Sequence, residues 1–438
     1  MFLNLGSRPQ IWSRAFALAV AAIPSTSTEV FGVEADQVLS FNPGKFIIQP
    51  QFDFSSQYTD NLFYAAQGSE ISATTFNPPL ESDVLWYLTP GVEVQYGRNP
   101  ENSIKVSGFY DQILYTKNPD FNSDQQRFAV ETRLEFGRFV LKGGDNISWL
   151  DTILGGNTAV RDRTPIRQFI WTDNYRLTYD ATMKTDFYLG VNHNRIDYLQ
   201  TVNLYDQGTV LGTLGATYKP TERIDVFVEA EGGHTSLEPN APFQAPVNPS
   251  NIYGGFVGAS GTFTSRLDGE IKVGYETRDF PGATVDTSNT GSPAVVMGLT
   301  YTQSARRLYN LSYERRVGVS SQVPDQSYIF DLVYLTFTQS IGTSGRWLLQ
   351  VRGGVSLGDY SERITYLGGV IPINNARTDQ TYSASLTMSY QPNAWLTASA
   401  AYQFEKYTAE FPDQLAFDLS GLNDFHVNRI VLRVSIGY

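Results

Sequence analysis

At 438 residues the chain could hold two or three ordinary domains, yet a large β-barrel uses such a length as one. Charged residues are only 17%, below the roughly 25% of soluble proteins, while 13% aromatics and 37 Gly suit strands that meet an interface and turn sharply. A net charge of −12 without a basic patch argues against nucleic acid as a partner, and the lack of Cys excludes disulfides, thiolate metal sites and an acylated lipoprotein cysteine.

Residues 1–35 read as a secretory signal peptide. Arg8 and Arg14 give a positive leading region, residues 15–23 (AFALAVAAI) a short apolar core, and Ala35 a small residue at the cleavage point. The apolar core is far too short for a spanning helix, which needs about 20 residues. Residues 36–438 are expected to form one domain.

From about residue 45 the pattern has period two. The first strands, 45–56 and 83–97, contain Pro50 and Pro90, each of which removes a ladder hydrogen bond and marks a bulge or strand end. After 102–115, the strand 125–136 sets Phe128, Val130, Leu134 and Phe136 against Arg127, Glu131, Arg133 and Glu135. The strand 138–148 holds a charge and two glycines where a clean lipid face is wanted, and in 165–178 Asp173 shares the parity of Trp171 and Tyr175. Strands follow at 182–194, 208–218, 222–232, 252–264, 266–276, 293–303 and 306–315. In 326–338, Tyr328, Phe330, Leu332 and Tyr334 share one face, and Ile329, Val333 and Leu335 make the other only slightly less apolar. In 345–357, Trp347, Leu349, Val351 and Val355 oppose Arg346, Gln350, Arg352 and Ser356. In 379–390, Tyr382, Ala384, Leu386, Met388 and Tyr390 oppose a row of Ser and Thr, as expected between lipid and a wet lumen. The strands 394–406 and 426–438 complete a count of 18, or 16 if weak members pair differently.

The connections alternate long and short. Short ones include 97–101, Gly137, 219–221, 342–345 and 391–393; long ones include 57–82, 149–164, 233–251, 358–378 and 407–425. A sandwich has no reason to keep that alternation, whereas an outer-membrane barrel has short periplasmic turns and long outer loops. The expected fold is therefore all-β, a transmembrane antiparallel up-and-down barrel in the bacterial outer membrane, with membrane lipids as its surroundings. In the last strand Ile430, Leu432, Val434, Ile436 and Tyr438 share the lipid face. Ile436 and Tyr438 together resemble the terminal signal read by the barrel assembly machinery.

Signs of catalysis are sparse. His193, His234 and His426 fall on different elements (His193 near an outer rim, His234 in a long loop) with no paired base or metal-ligand spacing. Asp60 with Asn61 and Asp145 with Asn146 suit turn chemistry better than calcium binding. No metal, cofactor or enzymatic activity is expected. The parity argument puts Arg127, Arg133, Arg346, Arg352, Arg429 and Arg433 in the lumen, as a wet electrostatic lining or as a selectivity surface for anionic or polyhydroxyl solutes.

The segment Tyr58, Thr59, Asp60, Asn61, Leu62, Phe63, with Ser82 and Asp83 and then Leu88, Thr89, Pro90, Gly91 and Val92, resembles the opening of the outer-membrane β-barrel porin family that accompanies exopolysaccharide and exosortase systems. The later chain matches only in style, as in Arg306, Arg307 and Leu308. The resemblance implies a surface barrel serving polysaccharide export, with polysaccharide or export machinery as partner and no catalytic residues to carry over. The leading expectation is a porin-like channel. The alternatives are a non-conducting barrel for adhesion or scaffolding through long acidic loops, and a rim-active hydrolase.

Overall fold

The structure, a computed structural model, describes residues 44–65, 80–97, 102–153, 165–202, 204–241, 247–282, 290–320, 325–342, 344–361, 364–367, 371–374, 376–410 and 424–437. The barrel strands are β1 (Phe46–Thr59), β2 (Asp83–Tyr96), β3 (Ser103–Tyr115), β4 (Ser123–Phe136), β5 (Phe139–Thr152), β6 (Ile166–Asp180), β7 (Thr185–Tyr198), β8 (Tyr205–Tyr218) and β9 (Ile224–Pro239). They continue with β10 (Ser250–Thr264), β11 (Leu267–Asp279), β12 (Thr290–Ser304), β13 (Arg307–Val319), β14 (Ser327–Ile341) and β15 (Trp347–Tyr360). A small separate hairpin, β16 (Ile364–Leu367) with β17 (Ile371–Asn374), interrupts the series before β18 (Arg377–Asn393), β19 (Leu396–Glu410) and β20 (Phe425–Ile436).

The 18 barrel strands form a single antiparallel sheet in which each pairs with its neighbours in the chain. The sheet closes where β1 meets β20, in a register that runs from Phe52 opposite Ile436 to Thr59 opposite Arg429. Closure leaves no edge, so every strand finds ladder partners on both sides, the condition for lying in hydrocarbon. Short turns gather at one end. Gly137, at φ 66, supplies the left-handed residue between β4 and β5. Register shifts sit beside the short turns at Thr262, Thr302 and Tyr390, where bulges tighten the return.

The outward face is a belt of exposed apolar side chains. Phe52, Phe128, Leu214, Val257, Leu386 and Leu432 mark it round the circumference, with Leu214 63% and Leu432 57% exposed. At the short-turn end the belt closes on aromatic pairs: Phe46 with Tyr96, Phe136 with Phe139, Phe139 with Tyr179, Tyr309 with Phe337 and Trp347 with Tyr390. An even number of tilted antiparallel strands, a continuous apolar belt and an aromatic girdle define a bacterial outer-membrane β-barrel. In water such a belt would be a large exposed hydrophobic patch; in the membrane it is the lipid face.

All 18 expected strands are present, and most run several residues further at the long-loop end. There the hydrophobic alternation fades while the ladder continues, so β9 reaches Pro239 and takes in His234, which the sequence assigns to a loop. Asp145 and Asn146 likewise lie inside β5 and not in a turn. Pro90 interrupts the ladder between β2 and β3, where pairing skips from Leu88 to Gly91, and Pro50 lies just beyond the stretch of β1 that β20 covers. In β14 the faces are the reverse of a simple hydrophobicity rule: Phe330, Leu332 and Tyr334 are buried toward the interior, whereas Val333 and Leu335 are exposed to lipid. The proposed signal peptide, residues 1–35, and Tyr438 lie outside the described residues.

Candidate functional site

The interior is the candidate site, and its upper mouth is shaped by residues 61–65, which turn inward after β1. Asn61 makes the turn: its side-chain amide donates to the Ala65 carbonyl (2.9 Å) and to the His426 carbonyl (3.1 Å), and its oxygen accepts the Ala65 N–H (2.7 Å). Tyr64 is held at φ 54, a left-handed conformation uncommon for a residue with a side chain. Leu62 and Phe63 pack with Leu85, Ile113, Tyr115 and Ile153, and Tyr64 packs against Phe425. Asp60 pins the base of the turn to β20 by accepting from the Asn428 N–H (2.7 Å) and side-chain amide (2.6 Å).

Beneath this turn is a cavity with about 1350 Å³ of empty space, lined by Tyr87, Asp111, Arg127, Gln403 and Arg429. Arg429 donates to Glu405 (3.2 Å) and to the Tyr64 hydroxyl (2.9 Å). Burial pushes the Tyr64 hydroxyl above its ordinary pKa, against the opposing pull of Arg429. Arg127 grips Asp111 with two hydrogen bonds of 2.7 and 2.8 Å, and the same carboxylate accepts from Thr89 at 2.7 Å. Asp111 is 1% exposed, so these donors take the place of the water its carboxylate has lost.

A second cavity, with about 1160 Å³ of empty space that includes open solvent, is lined by residues of strands between β6 and β14. Arg176 stands on its wall and ends a row of three cations on neighbouring strands: Arg133 opposite Lys142, and Lys142 opposite Arg176. Lys142 and Arg176 are exposed to the interior, and the Arg176 guanidinium lies 3.5 Å over the Tyr188 ring. On the other side is a carboxylate-rich cluster. Lys272 bridges Glu229 and Glu231, and Arg316 bridges Glu231 and Glu276, with Phe256 stacked under Lys272 at 4.1 Å. Glu270 and Glu314 add two more carboxylates to the cavity wall.

Of the arginines singled out by parity, Arg127, Arg133, Arg352, Arg429 and Arg433 are carried on strands with side chains opposite the exposed apolar set. Arg433 pairs with Asp53 at 2.5 Å, Arg133 with Glu135 at 2.6 Å, and Arg352 stacks 4.2 Å from the Tyr334 ring. Arg346 is not brought to this group; it is exposed in the short turn before β15. Lys142 and Arg176 escaped the parity argument because Gly143 and Asp173 blur the alternation of their strands. Tyr64 carries no periodic signal at all.

His193 requires a correction. It lies within β7 on the lipid side, and its Nδ1 is 3.1 Å from an Asp173 carboxylate oxygen, so it does have an acidic partner. His234 has Asn251 as a partner at 3.0 Å. Among the described residues no group of three His, Cys, Asp or Glu is placed to hold a metal ion.

No protein-family profile matches the chain, and no curated protein matches it in sequence. Among solved structures it is similar to OpdO of Pseudomonas aeruginosa, at 10% identity over 89% of this chain and 97% of that one (TM-score 0.45). It is also similar to the outer membrane protein OpdK of the same organism, at 11% identity over 89% and 99% (TM-score 0.45). The alcaligin outer-membrane receptor FauA of Bordetella pertussis is a third, at 12% over 88% and 76% (TM-score 0.38). The assignment as an outer-membrane barrel rests on the closed sheet and its apolar belt.

Proposed function

We propose that this barrel is a porin-like channel for small hydrophilic solutes. The observation that carries the reading is the second cavity, whose wall carries Arg176 and Lys272 together with Glu229, Glu231, Glu270 and Glu314. Side chains that merely braced a closed barrel would pair off; here Lys142 and Arg176 stay exposed to the interior. Charges of both signs in one passage orient a dipolar or charged solute and compensate part of its lost hydration. The chain reaches the membrane, on this reading, as an exported precursor carrying residues 1–35, and Ile436 and Tyr438 serve the barrel assembly machinery.

The finer reading is a conduit for exopolysaccharide. It is supported by the resemblance over residues 58–63, 82–83 and 88–92, and by the hydroxyl row Thr381, Ser383, Ser385, Thr387 and Ser389, which lies opposite the lipid-facing residues of β18. Hydroxyls in a row suit a polyhydroxyl chain that slides without tight binding.

Refolded full-length protein in a planar bilayer tests the channel. Discrete ion-conducting steps are expected. Silent insertion of correctly folded protein would reject the channel in favour of a non-conducting surface barrel. Loss of surface polysaccharide on deletion of the gene is the outcome expected from the conduit reading.

A further inference from the structure

We propose that the lipid face of β5 to β10 is the contact surface for a second copy of this chain, related by a two-fold axis along the membrane normal. The proposal does not depend on what the interior conducts.

Asp145 sits midway along the lipid face of β5, six residues from both Phe139 and Asp151. Asp173 sits midway along the lipid face of β6, directly opposite Asp145 in the ladder. His193 is opposite Asp173, and beyond it the same row runs through Val210 to His234 and Asn251. Val210 is 50% exposed, which fixes the outward sense of the row. The Tyr175 hydroxyl donates to Asp145, and the Trp171 ring stands edge-on to His193 at 4.7 Å. The Trp171 indole N–H is shielded and has no hydrogen-bond partner.

Hydrocarbon offers these groups nothing. An ionisable side chain on the lipid face is costly and marks a functional surface. Two carboxylates directly opposite each other repel, and one imidazole beside them does not balance both. The lipid face elsewhere shows how such groups are neutralised. Arg315 grips Asp331 with bonds of 2.8 and 3.1 Å, and Tyr313 donates to the same carboxylate, leaving no net charge.

A second observation lies beside the row. Gly212 and Gly232 face each other across β8 and β9 on the same outward surface. Neither has a left-handed backbone, and a side chain at either would meet nothing nearer than 3.6 Å. Gly255 on β10 has nothing within 4 Å. Neither conformation nor internal packing calls for glycine here, so the flat shelf suits close approach of another backbone.

The occupant we infer is a second copy. A two-fold axis along the membrane normal brings each polar group to its own depth in the partner, which no ordinary lipid-facing surface does. The row also carries complementary hydrogen-bonding groups, carboxylates at Asp145 and Asp173 and the imidazole of His193, as a self-complementary contact needs.

The chain has no Cys, so single introduced cysteines report contacts without background. In outer-membrane fractions, Val210→Cys is expected to give an oxidised species at twice the chain mass. Leu386→Cys, exposed on β18 at the far side, is expected to give none. Adding Asp145→Leu, Asp173→Leu and His193→Leu to Val210→Cys should abolish that species while heat-modifiable migration shows the barrel still folded. The proposal is overturned if Val210→Cys crosslinks no more than Leu386→Cys, if the product has the mass of a different partner, or if the triple leucine variant crosslinks undiminished.

Discussion

Asp111 shows how much of the mouth rests on single side chains. Its carboxylate is almost wholly buried and accepts two bonds from Arg127 and one from Thr89. Removing the guanidinium leaves that charge facing a hydroxyl and little else. Arg127→Leu is therefore expected to destabilise the barrel by about 3 kcal/mol, read as a lowered urea midpoint in detergent. Arg127→Leu combined with Asp111→Leu should recover most of that loss, because no unpaired charge then remains. Arg127 was legible in the sequence as an interior arginine, but Asp111 was not. Its strand alternates well, yet nothing local says that a carboxylate sixteen positions earlier faces that guanidinium across one ladder. Pairing of this kind is set by register, and register is a property of two strands together.

At the scale of a strand, β20 carries the alternation most cleanly. Ile430, Leu432, Val434 and Ile436 are exposed to lipid, while Arg429 and Arg433 turn inward to Glu405 and Asp53. A cation placed on the lipid side cannot reach those carboxylates. Leu432→Arg should cost about 2–4 kcal/mol, whereas Val431→Arg, one residue away on the interior side, should cost far less. Equilibrium unfolding of both variants in lipid vesicles checks this; equal losses would mean the faces are misassigned. Most strands were legible from period two because lipid and water impose opposite demands on their two sides, although Gly143 and Asp173 blur the alternation of β5 and β6. β14 was legible as a strand but not in its faces. Both its sides are apolar, so hydrophobicity alone could not say that Phe330 and Leu332 look inward. The ends of the strands were also obscure, since beyond the belt both faces meet water and the alternation has no cause.

For the whole molecule, the arrangement of interior charge matters more than the net charge of the chain. The chain is acidic overall, yet a cationic row crosses β4, β5 and β6. If that row guides solutes, Lys142→Glu with Arg176→Glu should shift the reversal potential under a salt gradient toward cation selectivity and leave the conductance steps present. An unchanged reversal potential would place the selective element elsewhere. The 18-strand closure was legible from loop rhythm, but the inward turn at residues 61–65 was not. It is built from Asn61 hydrogen bonds and from contacts to the far end of the chain, which no local pattern announces.

The inward apolar patch of β14 has a dielectric consequence. Phe330, Leu332 and Tyr334 are almost wholly buried although they point inward, so little water stands beside them to screen charge. Fields from the neighbouring Glu314 and Arg316 therefore reach further into the passage than they would across open solvent.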